Sequence, residues 1–176
     1  MPSIARLGHV GLYCNDLDAQ KRFYHEVLGL TVTDEDPQAG MVFLSARPAE
    51  EHHELLLCRG RTAPADAQLV QQVSFRCHGL QDVVEYHDRL RQAGAKIEMV
   101  VSHGNAIGLY FRDPENNIVE VYCGTGLEAR QPYLEEVDLS QPPERIMEQI
   151  RASVAEHGTT GYVDPEFLRR QNIAVD

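Results

Sequence analysis

The sequence predicts an α+β fold: paired βαβββ modules forming a curved sheet cup, followed by a C-terminal helical tail. Three observations predict it. Leu7–Leu30 and Gln68–Gly94 share one design, each of them leads into three strand-like segments, and the composition changes beyond Gly124. A chain of 176 residues is long enough for one domain with a full core. The expected division is residues 1–126, with modules of about 4–60 and 68–125, and then a helix and tail over 127–176.

Each module opens with a short apolar strand, Gly8-His9-Val10-Gly11-Leu12-Tyr13 in the first and Gln72-Val73-Ser74-Phe75-Arg76 in the second. A helix follows. Asn15 or Asp16 can cap the first, whose Leu17, Phe23, Val27 and Leu28 approximate an apolar stripe before Gly29 stops it. In the second, Leu80, Val83, Val84, His87 and Leu90 keep the 3.6-residue period, and Gly94 is the stop. Three strands come next: Thr31-Val32-Thr33, Met41-Val42-Phe43-Leu44 and Glu54-Leu55-Leu56-Leu57, then Lys96-Ile97-Glu98-Met99, Ile107-Gly108-Leu109-Tyr110-Phe111 and Ile118-Val119-Glu120-Val121-Tyr122. Asp113-Pro114-Glu115-Asn116-Asn117 is a tight turn in which Asn116 or Asn117 can be left-handed. Beyond a linker over residues 128–132, Ser140-Gln141-Pro142-Pro143 opens a helix through roughly Glu156, with Ile146, Ile150 and Val154 on one face. Residues 158–176 show little periodicity and are expected to pack against the domain or a second subunit.

Sixteen basic against 27 acidic residues give a net charge of −11, which argues against nucleic-acid or anionic-membrane partners and for a small molecule or a protein. No run approaches a membrane span, and Met1-Pro2-Ser3-Ile4-Ala5-Arg6 lacks a signal-peptide profile, so a cytoplasmic protein is expected. Cys14, Cys58, Cys77 and Cys123 form no CxxC pair and are given no chemical role.

The repeat says where chemistry could converge. The inner residue of the first strand is His9 in one module and Gln72 in the other, and the last strands offer Glu54 and Glu120. Such nitrogen and oxygen donors suit a divalent first-row ion such as iron, manganese, nickel or zinc. Glu120 is the strongest candidate, because a carboxylate inside an apolar strand needs a partner for its charge.

These residues also carry a resemblance. Gly8-His9-Val10, Asn15-Asp16-Leu17-Asp18 and Phe23-Tyr24-His25-Glu26-Val27-Leu28-Gly29-Leu30 resemble the opening of the glyoxalase, bleomycin-resistance and extradiol dioxygenase (vicinal oxygen chelate) superfamily. Tyr110-Phe111-Arg112-Asp113-Pro114-Glu115-Asn116-Asn117-Ile118-Val119-Glu120-Val121 is similar to its closing strand-turn-strand, where the glutamate binds metal. The resemblance covers about residues 4–125 and is closest to the single-domain extradiol dioxygenases, which open catechols with Fe(II) held by two histidines and a glutamate. It implies His9, Gln72 and Glu120 as ligands, Fe(II) as the metal, His53 of His52-His53-Glu54 as acid/base, Tyr110 as the hydrogen-bond partner of a substrate hydroxyl, and His103 as a further substrate-side histidine. An aromatic diol and dioxygen would be the reactants, and a homodimer is expected. His25, His78, His87 and His157 are read as structural or surface residues.

The sequence departs from that pattern at Gln72, where the family's second ligand is histidine. Two alternatives therefore stand beside the dioxygenase. A glyoxalase-like isomerase or lyase would use His9, Glu54, Gln72 and Glu120 with nickel or zinc, and a metal-free protein would sequester an aromatic ligand in the cup.

Overall fold

The computed structural model describes residues 2–3, 5–64, 66–67 and 69–170. Ile4 and Gln68, where the modules were expected to open, and residues 171–176 of the expected tail lie outside the described residues. The chain forms two compact units, residues 1–69 with 113–117 and residues 70–112 with 118–176.

In the first unit, β1 (Val10–Cys14) leads into α1 (Leu17–Arg22), which continues as a π-helical stretch over Phe23–Val27, and then β2 (Thr31–Asp36), β3 (Met41–Ser45) and β4 (Leu55–Arg59) follow. Asp16 is the cap, its carboxylate accepting from the Ala19 N–H at 2.9 Å, and Gly29 ends the helix at φ 79°. The sequence spacing of Leu17, Phe23 and Leu28 only approximates an α-helical stripe. The wider π turn, closed by the Leu28 N–H donating to the Phe23 carbonyl at 3.1 Å, is compatible with burying all three. The strands form a four-stranded sheet in the order β1-β4-β3-β2, with β1 parallel to β4. β2 runs three residues beyond the expected Thr33, across a bulge at that position.

In the second unit the same design recurs as β5 (Val73–Arg76), α2 (Leu80–Gln92), β6 (Ile97–Ser102), β7 (Ala106–Arg112) and β8 (Ile118–Gly124), with β5 parallel to β8. Strand alternation sends Val119, Val121 and Cys123 into the layer covered by α2, whose Val83 and Leu90 are fully buried. Ile118, Glu120 and Tyr122 face the other way. The expected C-terminal helix is α3 (Pro143–His157), opened by Pro at its first position and burying Ile146 and Ile150. Three short elements escape the sequence pattern: β9 (Tyr133–Glu136), β10 (Tyr162–Val163) and α4 (Pro165–Arg170). β9 pairs with β6 and β10 with β9, which gives six strands in the order β10-β9-β6-β7-β8-β5.

The turn at residues 113–117 packs as part of the first unit. Asp113 accepts from Gln20 Nε2 and Asn117 Nδ2 at 2.8 Å each, from the Tyr24 hydroxyl at 3.1 Å and from N–H groups of its own turn. Glu115 takes the Asp16 and Asn15 N–H groups and pairs with Arg61, the two side chains being 7% and 3% exposed. Asn116 is the left-handed residue, at φ 67°. All four cysteines are free thiols. No helix among the described residues is long and apolar enough to cross a membrane.

Candidate functional site

The sequence-predicted residues fall into two sets, one in each unit. In the first, His9 stands one residue before β1 and His53 two residues before β4. Their rings lie 4.3 Å apart by centroid, and Phe43 of β3 meets the His53 ring edge-on at 5.2 Å. His52 and His53 approach through their Nδ1 atoms at 3.0 Å, so one of the two donates and the other accepts. The bulge residue Thr33 donates its hydroxyl to the His52 carbonyl at 2.6 Å, which holds the histidine pair against the sheet. Burial first, then the neighbouring His9 and His52, lower the His53 pKa below its ordinary value. A neutral imidazole at physiological pH is the form that can accept a proton.

Glu54, the extra ligand of the isomerase-like alternative, is engaged elsewhere. Its carboxylate accepts from Arg47 Nη2 at 2.8 Å and Nε at 3.2 Å, and from the Ala46 N–H at 2.9 Å. The ladders also refine the symmetry read from the sequence. β1 sets Gly11 opposite Leu56, while β5 sets Ser74 opposite Glu120. With His9 matched to Gln72, the counterpart of Glu120 is therefore Leu56, two positions beyond Glu54.

In the second unit Gln72, Glu120, Tyr110 and His103 form a continuous polar chain on one face of the sheet. Tyr110 of β7 lies directly opposite Glu120 of β8, and both are only 6% exposed. The Glu120 Oε2 atom accepts from Ser74 Oγ at 2.5 Å and from Gln72 Nε2 at 3.0 Å. Gln72 also donates to Ser74 at 2.8 Å. Room for this comes from Gly108, where a Cβ would lie 2.5 Å from Glu120 Oε1 and 2.8 Å from the Tyr110 ring. Burial, followed by the hydrogen bond and charge of Glu120, raises the Tyr110 phenol well above its ordinary value, with Gln72 partly opposing. Tyr110 is thus a protonated donor throughout the physiological range.

His103 completes the chain, its Nε2 lying 3.0 Å from the Tyr110 hydroxyl. Its Nδ1 lies 3.1 Å from the Tyr133 carbonyl, which can only accept, so Nδ1 carries the proton. In the neutral ring Nε2 is then an acceptor facing Tyr110. The Tyr110 proton has two possible acceptors, His103 and Glu120, and a substrate oxygen placed there would compete with both.

Sequence reasoning missed Ser74 and Gly108. Ser74 was legible, since period-two alternation puts it on the face of Gln72. The need for Gly108 appears only with the cross-strand neighbours in place. As to a metal, imidazole, carboxylate and amide oxygen are donors that suit a divalent first-row ion. In this structure Gln72 turns its NH2 toward Glu120, and the carboxylate is satisfied by neutral donors. Among the described residues no three His, Cys, Asp or Glu side chains converge to hold a metal by themselves.

Residues 6–121 match the Glyoxalase/Bleomycin resistance protein/Dioxygenase superfamily. Over 122 residues the chain is 34% identical to biphenyl-2,3-diol 1,2-dioxygenase 3 of Rhodococcus globerulus, covering 66% of this chain and 62% of that protein. It is 27% identical to a manganese-dependent 2,3-dihydroxybiphenyl 1,2-dioxygenase of Geobacillus genomosp. 3, with 68% of this chain and 36% of that protein covered. The chain thus spans less than two thirds of the length of either relative. Among solved structures, lactoylglutathione lyase from Agrobacterium tumefaciens shares the fold at a TM-score of 0.55 and 24% identity, over 70% of this chain and 96% of that one.

Proposed function

The chain belongs to the glyoxalase/bleomycin resistance protein/dioxygenase superfamily, and on that premise we propose that it is an extradiol ring-cleavage dioxygenase acting on a catechol-type aromatic diol. The observation that carries this reading is Tyr110, a phenol kept protonated beside Glu120 and hydrogen-bonded to a tautomer-locked His103. Such a group is suited to donate to one oxygen of a bound diol. His53, whose pKa is lowered, would accept the proton of a diol hydroxyl and return it to the ring-opened product. The resemblance supplies His9, Gln72 and Glu120 as the metal ligands, Gln72 through its amide oxygen. When bound, Fe(II), or manganese as the name of one relative suggests, would mediate electron exchange between diol and dioxygen. Both atoms of dioxygen would enter the product as the ring bond beside the diol breaks. Leu56 at the counterpart of Glu120 supports a three-ligand set over the four-ligand isomerase arrangement with nickel or zinc.

One observation favours a second reading. Glu120 is already satisfied by Ser74 and Gln72, which a metal-free protein sequestering an aromatic ligand would also use. The test is oxygen uptake by anaerobically purified chain, reconstituted with Fe(II) or Mn(II), in the presence of catechol and of 2,3-dihydroxybiphenyl. Equimolar uptake that is lost in Glu120→Ala is expected. No uptake with either ion would overturn the dioxygenase, and tight diol binding after chelation would then support sequestration. The same reading takes the protein as a cytoplasmic homodimer in aromatic catabolism, without nucleic-acid or membrane partners. Sedimentation at micromolar concentration tests the dimer.

A further inference from the structure

The family match ends at residue 121, yet the chain continues through β9, α3, β10 and α4. After α3 the backbone turns at Gly161, whose φ is 82° and whose position leaves a Cβ only 2.9 Å from the Pro132 carbonyl. β10 then runs parallel to β9, with Tyr162 opposite Tyr133 and Val163 opposite Leu134. The Asp164 N–H donates to the Leu134 carbonyl at 2.9 Å, and Arg170 pairs with Glu136. These bonds hold α4 on the sheet.

Alternation decides which face receives it. Along β9, Tyr133 bonds Ser153 of α3 at 2.6 Å, while its neighbour Leu134 points the other way and packs with α4. Phe167 of α4, 2% exposed, joins Val101 and Tyr110 in one buried cluster, flanked by Met99, Ile118 and Leu168. Ile118 shares its strand face with Glu120. The short helix therefore lies on the face that carries the candidate site, with a benzyl side chain beside the tyrosine that would orient the substrate.

We propose that Phe167 sets the size of the aromatic substrate, occupying beside Tyr110 the space that a second ring of a larger diol would need. This rests on the dioxygenase reading and deepens it. The residue that selects the diol would then lie outside the part of the chain shared with the superfamily. Removing a buried aromatic side chain leaves an apolar, ring-sized cavity of the kind that accepts benzene. The phenyl substituent of a biphenyl diol would replace the Phe167 ring in Phe167→Ala.

The experiment is anaerobic titration of full-length chain, loaded with Fe(II) or Mn(II), with catechol and with 2,3-dihydroxybiphenyl, and the readout is the ratio of their dissociation constants. Phe167→Ala is expected to shift that ratio toward the biphenyl diol by roughly tenfold or more, the scale of discrimination by pocket volume. Phe167→Leu should shift it part of the way and carries the test if the alanine variant fails to fold. Phe167→Trp should shift it in the opposite direction. A general loss of stability would weaken both diols together and leave the ratio unchanged. An unchanged ratio in folded variants of a chain that binds catechol overturns the proposal and leaves the dioxygenase reading standing. Failure of the unsubstituted chain to bind either diol overturns both.

Discussion

At the scale of single residues, the site in the second unit depends on one missing side chain. Gly108→Ala would press a methyl group against Glu120 Oε1 and the Tyr110 ring. Overpacking of this kind costs about 1–3 kcal/mol of stability. The displaced groups are those assigned to ligand and substrate, so oxygen uptake should fall much further than the melting temperature, by at least about tenfold. A variant with full activity would show that neither group needs its present position. Glu54 permits a prediction in pH. Burial raises its carboxyl, but the hydrogen bonds from Arg47 and the Ala46 N–H outweigh that and hold it below its ordinary value of 4.5. Its contribution to stability is fully present above pH 4.5 and is lost as pH falls through the lower folded value. Glu54→Gln should therefore flatten the stability curve of the chain below pH 4.5, down to that lower value, and leave its slope between pH 4.5 and neutrality unchanged, measured by urea unfolding at a series of pH values. If Glu54 instead served a metal, the variant would lose metal with little change in that curve. The repeat made His9 and Gln72 equivalent positions, but it set them inside the first strand of each module, whereas the structure begins those strands one residue later, at Val10 and Val73. Gly108 was not, because only its cross-strand neighbours give its missing side chain a meaning.

At the scale of elements, the turn at residues 113–117 does more than reverse the chain. Arg61 and Glu115 form a buried ion pair within the first unit, and Arg61 also donates to the Pro64 carbonyl at 2.8 Å and the Glu115 carbonyl at 3.2 Å. Glu115→Ala would leave a buried guanidinium with no carboxylate, which costs about 3–5 kcal/mol when one partner of such a pair is removed. Urea denaturation of the variant should show that loss, and a change under about 1 kcal/mol would mean the pair is solvated like a surface bridge. The sequence marked this segment as a turn from its Asp, Pro and Asn residues, whereas its partners Gln20, Tyr24 and Arg61 lie far away in sequence. β9 and α4 were hidden for the same reason. β9 is only four residues long and ends in two glutamates, and it is a strand because β6 offers it an edge. Its Tyr133 carbonyl then decides which nitrogen of His103 holds the proton.

At the scale of the whole molecule, a bound metal would stabilise the folded chain in proportion to its affinity, by about 2.7 kcal/mol at a hundredfold excess over the dissociation constant. Fe(II) or Mn(II) should thus raise the melting temperature of the unsubstituted chain under anaerobic conditions and leave Glu120→Ala unmoved. Equal shifts in both would place metal binding elsewhere. By itself the sequence determined the α+β class, the two repeated modules, a first helix capped at Asn15 or Asp16 and stopped at Gly29, and the C-terminal helix, because periodicity and turn chemistry act over a few residues. It also singled out Glu120 and Tyr110, whose spacing of ten becomes a direct cross-strand pair once the turn closes. Tertiary structure alone decided that Leu56 and not Glu54 is the counterpart of Glu120, that Ser74 and Gln72 satisfy its carboxylate, and that Phe167 lies beside Tyr110. Register and packing of that kind depend on groups far apart in the chain, and their hydrogen bonds and buried surfaces exist only once the strands have paired.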